Sequence, residues 1–100
     1  MATSVTRQFV FGTKVVAAAG TQVQLDATTT RMLRSLTIIA HSSNVGRIFY
    51  GGSDVDSSTQ KGLQGGESFT LTGVGPFEIG DIWIDAATNA DGVDFIGVRA

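Results

Sequence analysis

Residues 45–72 read VGRIFYGGSDVDSSTQKGLQGGESFTLT, and the way this stretch is punctuated decides the fold class. Val45, Arg47 and Phe49 alternate with Gly46, Ile48 and Tyr50, the two-residue period of an extended chain. Gly51-Gly52 is expected to stop that strand, because glycine accepts positive φ without steric cost. Gly62 and Gly65-Gly66 are expected to bring the chain back. Phe69 and Leu71 then alternate with Ser68, Thr70 and Thr72. The stretch predicts a strand, a glycine turn, a polar loop, a second glycine turn and a returning strand.

The flanking sequence continues the pattern. Phe9, Val10, Phe11, Val15 and Val16 surround Gly12, which fits two short strands or one bulged strand. Ala17-Ala18-Ala19-Gly20 is a break, after which Val23 and Leu25 alternate with Gln22 and Gln24. Leu36, Ile38 and Ala40 share one face of the next strand and Thr37 and Ile39 the other. Apolar residues on both faces predict burial between layers or at a subunit contact. Gly73-Val74-Gly75-Pro76 breaks the chain again. Ile82, Ile84 and Ala86 then face away from Trp83 and Asp85, and TNADG at 88–92 ends in Asp-Gly, a hairpin signal when strands flank it.

No amphipathic helix of useful length interrupts these elements. About seven or eight short strands, with turns every ~8–12 residues, predict an all-β chain: one antiparallel β-sandwich or jelly-roll-like domain over residues 1–100. Residues 1–6 read either as a frayed terminus or as an arm that orders on a partner.

Composition narrows the function. Charged residues are 16% of the chain, below the usual ~25%, so the surface is rich in uncharged polar groups. Such a surface suits an ordinary β-protein, and it equally suits one that lies against other protein. The net charge is -2 and the seven basic residues are scattered, which argues against a nucleic-acid partner. The absence of cysteine excludes disulfides and thiolate metal sites. No basic, apolar leader opens the chain and no apolar run is long enough to span a bilayer, so no membrane partner is expected.

Chemical candidates are sparse. His41 is the only histidine, and no nucleophile-elbow pattern surrounds the adjacent Ser42 and Ser43, so it reads as a turn residue. Asp54 and Asp56 form D-x-D among serines but lack the spacing of a calcium loop, and they read as turn caps. Asp85, Asp91 and Asp94 read in the same way. The paired glycines are not followed by Lys-Ser/Thr and a helix, so they are not a phosphate loop. Phe49, Tyr50, Phe77 and Trp83 could form a sugar platform, although such aromatics more often serve as core or interface anchors. No catalytic residue, metal or cofactor is assigned.

The run Ile48-Phe49-Tyr50-Gly51-Gly52-Ser53-Asp54-Val55, with Gly62-Leu63 and Gly66-Glu67-Ser68, resembles a pattern in small virion structural proteins of tailed bacteriophages. Ile82-Trp83-Ile84-Asp85-Ala86 and Asp91-Gly92-Val93 resemble the closing hairpin of the same proteins. The resemblance covers about residues 33–98. It departs where Pro-Gly often precedes Glu-Ser and this chain has Gly65-Gly66. The resemblance implies a non-enzymatic capsid decoration (cement) protein located in the virion, bridging major capsid proteins as a homo-oligomer, with a trimer expected. The alternatives are a neck, tail or fibre component, or a receptor- or glycan-binding module. The expected protein-contact residues are Thr3, Val5 and Arg7 in the arm, Asp54, Asp56 and Lys61 in the central loop, and Trp83.

Overall fold

A computed structural model describes residues 9–28, 31–55 and 62–100. Its strands are β1 (Phe9–Val15), β2 (Val23–Gln24), β3 (Met32–Ala40), β4 (Ile48–Gly51), β5 (Ser68–Glu78), β6 (Trp83–Ala86) and β7 (Gly92–Arg99). A 3-10 turn, Ile79–Asp81, sits between β5 and β6. The strands form two antiparallel sheets, of order β1-β7-β3-β5 and β2-β6-β4. The chain is the all-β sandwich that its alternation predicts.

The pairing is nested. β1 pairs with β7, β2 with β6 and β3 with β5, as in one long ribbon folded back on itself. Wrapping that ribbon adds the β3–β7 and β4–β6 pairs. This is jelly-roll winding. An eighth strand is reduced to one antiparallel bridge, in which Ile48 and Leu63 exchange both backbone bonds at 2.9 and 2.7 Å.

The core follows the two-residue period. Leu36, Ile38 and Ala40 of β3, with Val93 and Phe95 of β7, face Ile48 of β4 and Ile84 and Ala86 of β6. Tyr50 stacks on Phe69 across the gap between the sheets, with ring centroids 4.3 Å apart. Val23 and Leu25 close one side.

The structure departs from local expectation in three places. First, the central stretch, read as a strand and a returning strand, crosses between the sheets, because β4 belongs to the three-stranded sheet and β5 to the four-stranded one. Second, Gly51 is the last residue of β4, paired with Trp83, and neither it nor Gly52 has positive φ. Gly62 carries that role instead. Its φ is +80°, and a Cβ there would lie 2.7 Å from the Phe49 ring. Third, Asp91-Gly92 links β6 to β7 across the two sheets, so it closes no hairpin.

The predicted break at 73–76 is a bulge inside β5. Leu33 pairs with Phe77 and Ser35 with Thr72, so four residues of β5 bow out opposite Arg34. The register of β3 against β7 shifts at the same point.

Candidate protein-contact surface

The two outer faces of the sandwich are treated differently. On the three-stranded sheet, Phe49, Trp83 and Asp85 point outward, and the chain's own loops cover them. Gly20 N–H donates to Asp85 Oδ1 at 3.0 Å, which brings the β1–β2 loop down over β6. Ala19 N–H donates to Asn89 Oδ1 at 2.7 Å, and the Gln22 amide donates to the Ser53 carbonyl at 2.7 Å. Asp85 is 1% exposed and Phe49 4%, while Trp83 is half-buried.

The four-stranded sheet has no such cover among the described residues. Register defines rows across its outer face. Phe11 lies beside Ile96, Thr37 and Thr70, and Phe9 beside Val98, Ser35 and Thr72. Thr13 lies beside Asp94, Ile39 and Ser68. Phe11 is 75% exposed and Phe9 59%, with Ile96, Ile39, Val15 and Met32 also exposed. Summed over the whole face these six side chains present on the order of 500 Å² of apolar surface, taking ~200 Å² for a phenylalanine, and the adjoining Phe9, Phe11 and Ile96 supply about 300 Å² of it. A typical monomer's largest apolar patch is ~300–600 Å², and patches of that size are often functional. Ile39 is exposed, so among the described residues the outer face of β3 is not buried between layers of this chain.

One polar cluster interrupts the face. Asp94 Oδ1 accepts from the Thr13 hydroxyl at 2.6 Å and is 2.9 Å from His41 Nε2. The Thr13 bond first, and His41 second, hold the Asp94 carboxyl below its ordinary range. His41 is thus engaged with a carboxylate and not with Ser42 or Ser43.

Asp91 and Asp26 act on backbone. Asp91, 5% exposed, accepts from Val45 N–H and Gly46 N–H at 3.0 and 2.8 Å. Next to it, the Asn44 side chain donates to the Gly92 carbonyl and accepts from Gly92 N–H, both at 2.9 Å. These bonds fasten the β3–β4 corner to the β6–β7 corner. Asp26 accepts from Thr28 N–H at 2.9 Å and pairs with Arg31 at 3.3 Å. Among the described residues no three His, Asp or Glu side chains come together as a metal site.

Of the predicted contact residues, Asp54 is exposed in a turn and Trp83 is half-buried under loops. Thr3, Val5, Arg7, Asp56 and Lys61 lie outside the described residues. The sugar platform does not assemble, since Phe49 is buried and Tyr50 is stacked inward on Phe69. Sequence reasoning missed Phe9, Phe11 and Ile96. The available signal was the alternation Phe9-Val10-Phe11, which puts two aromatics on the face opposite Val10.

At the open side between β4 and β5 lies an apolar pocket of about 300 Å³, lined by Leu36, Ile38, Tyr50, Phe69, Leu71 and Ile82. It is continuous with the core and contains no charged side chain to orient a ligand. No known protein family, curated protein or solved structure matches this chain.

Proposed function

We propose that this chain is a non-enzymatic structural subunit that works by lying against other protein, as a capsid decoration (cement) protein of a virion. The observation that carries the reading is the apolar outer face of the four-stranded sheet, which is uncovered among the described residues. A domain of this size gains stability by covering such a face, and water is a poor cover for two exposed phenylalanines. The opposite face supports the reading by contrast, because there the chain spends two loops on covering its aromatic residues. The resemblance of about residues 33–98 to small phage virion proteins supplies the setting. In that setting the protein bridges major capsid proteins, and buried area stabilises the shell.

The test is an image reconstruction of purified particles together with a copy number. Hundreds of copies at local symmetry axes of the shell are expected. A dozen copies at one vertex would instead make the chain a neck, tail or fibre part. Absence from particles would discard the virion role.

A further inference from the structure

The outer face of the four-stranded sheet is polar at both ends, with opposite sign. At one end stands Asp94, with His41 hydrogen-bonded to it. At the other stands the exposed Arg34, with the half-buried Glu78 opposite Met32 just before the 3-10 turn. Arg34 is held there by its own backbone context: its Nε and Nη2 both donate to the Arg99 carbonyl at 3.3 Å. It lines a shallow hollow of about 540 Å³ with Ser35, Thr72 and Val98 of the outer face. A second hollow of about 450 Å³, lined by Phe11, Thr13, Ile39, Asp94 and Ile96, occupies the acidic end. Between the ends runs the apolar row of Phe11 and Ile96.

We infer that this face is covered by the same face of a second copy, in antiparallel orientation. The inference rests on the reading that the face is a protein contact, and it names the occupant. A two-fold axis along the row Phe11, Ile96, Thr37, Thr70 lays that row on itself. It also carries the Asp94 row of one copy over the Val98 row of the other, next to Arg34. Apolar surface then meets apolar surface, and the acidic end of each copy meets the basic end of its partner. One face supplies both halves of this match, which is the self-complementarity an isologous contact requires. Roughly 500 Å² of apolar surface from each copy gives a total near the ~1,000 Å² that a specific interface needs. Sheets stacked face to face pack about 10 Å apart with strands ~30° from parallel, a spacing these side chains can fill.

The position of the axis makes the test direct. The chain has no cysteine, so Thr37→Cys introduces one thiol per copy. On the axis, two such thiols lie within reach of a short bis-maleimide, though backbones about 10 Å apart are too distant for a disulfide. Thr37→Cys is expected to cross-link to a dimer in high yield at tens of micromolar protein. Thr72→Cys, off the axis, is expected to stay largely uncross-linked.

Sedimentation equilibrium of the full chain should show a dimer, and Phe11→Asp should make it monomeric while preserving the far-UV circular dichroism. Arg34→Glu and Asp94→Lys should each weaken the dimer about ten-fold, and the double variant should recover most of the loss. Should Asp94→Lys not fold, Thr37→Arg replaces it, because like charges facing across the axis should also dissociate the dimer. A monomeric wild type that binds anilinonaphthalene sulfonate, with binding lost in Phe11→Asp, overturns the second copy while leaving a bare contact face. A trimer overturns the two-fold contact and leaves self-association. A monomer that binds no dye overturns both the dimer and the reading of the face.

Discussion

Asp91 shows what a buried carboxylate does in a chain with so few charges. Both its oxygens are taken by backbone N–H groups of Val45 and Gly46. A carboxylate so placed replaces water for two donors that no strand could serve. Asp91→Ala strands those donors and is expected to destabilise the fold by about 1–3 kcal/mol. Urea titration followed by the single tryptophan, Trp83, reads the shift, and an unchanged midpoint would contradict the role. Asp94 makes a pH-dependent contribution of a different kind. Its folded carboxyl titrates below the ordinary value of 3.8, so the charged form is the one the fold favours. The resulting stabilisation is present above the unfolded value and is lost as pH falls through the lowered folded value. In thermal melts between pH 5 and pH 2, Asp94→Asn is therefore expected to show a shallower acid decline than the wild type. Identical slopes would remove Asp94 from the account. At the same scale, Gly62→Ala combines positive φ with a Cβ 2.7 Å from Phe49, and a loss of about 1–3 kcal/mol is expected in the same urea assay.

Strand β3 divides its work between two faces. Leu36 and Ile38 are in the core, while Thr37 and Ile39 look outward. Leu36→Ala is expected to cost about 2–5 kcal/mol, because the sandwich cannot collapse around the space it leaves. Ile39→Ala should stay within about 0.5 kcal/mol when the chain is dilute enough to be monomeric. Equal costs would mean that the strand is covered on both sides. This division was legible beforehand, since alternation in residues 36–40 and 82–86 fixes which side chains share a face. Partnership was not legible. A two-residue period says that a strand exists, and it is silent about whether the next strand lies beside it or in the opposite sheet. Asp-Gly at 91–92 therefore reads as a hairpin, although Asp91 is spent on gripping a distant corner. The open apolar face was half legible. Ile39 already pointed to something outside its own sheet, whereas Phe9 and Phe11 gain meaning only once β1 is known to be an edge strand with Val10 turned inward.

For the molecule as a whole, nesting means that almost every ladder joins parts of the chain far apart in sequence. Phe9 opposes Val98, and Met32 opposes Glu78. Loop closure must precede most of the stabilising contacts, so folding is expected on the millisecond-to-second scale typical of non-local β topologies. Stopped-flow refolding monitored at Trp83 checks this, and complete recovery within microseconds would contradict it. The asymmetry of the two outer faces is also a property of the whole. One sheet is finished by the chain's own loops, and the outer face of the other stays open among the described residues.

The β1–β7 ladder carries a further consequence, for how the protein bears load. These strands run antiparallel with Phe9 beside Val98, so the start of one and the end of the other are neighbours. A force that pulls those two points apart loads the ladder's hydrogen bonds one pair at a time, and the sheet unzips from that corner. A force pressing on the broad face of the sheet is shared by all four strands and their packed side chains at once. Mechanically the domain is soft when tugged by its ends and stiff when squeezed, so a tether at its ends would be its weakest attachment and a broad facial contact its strongest.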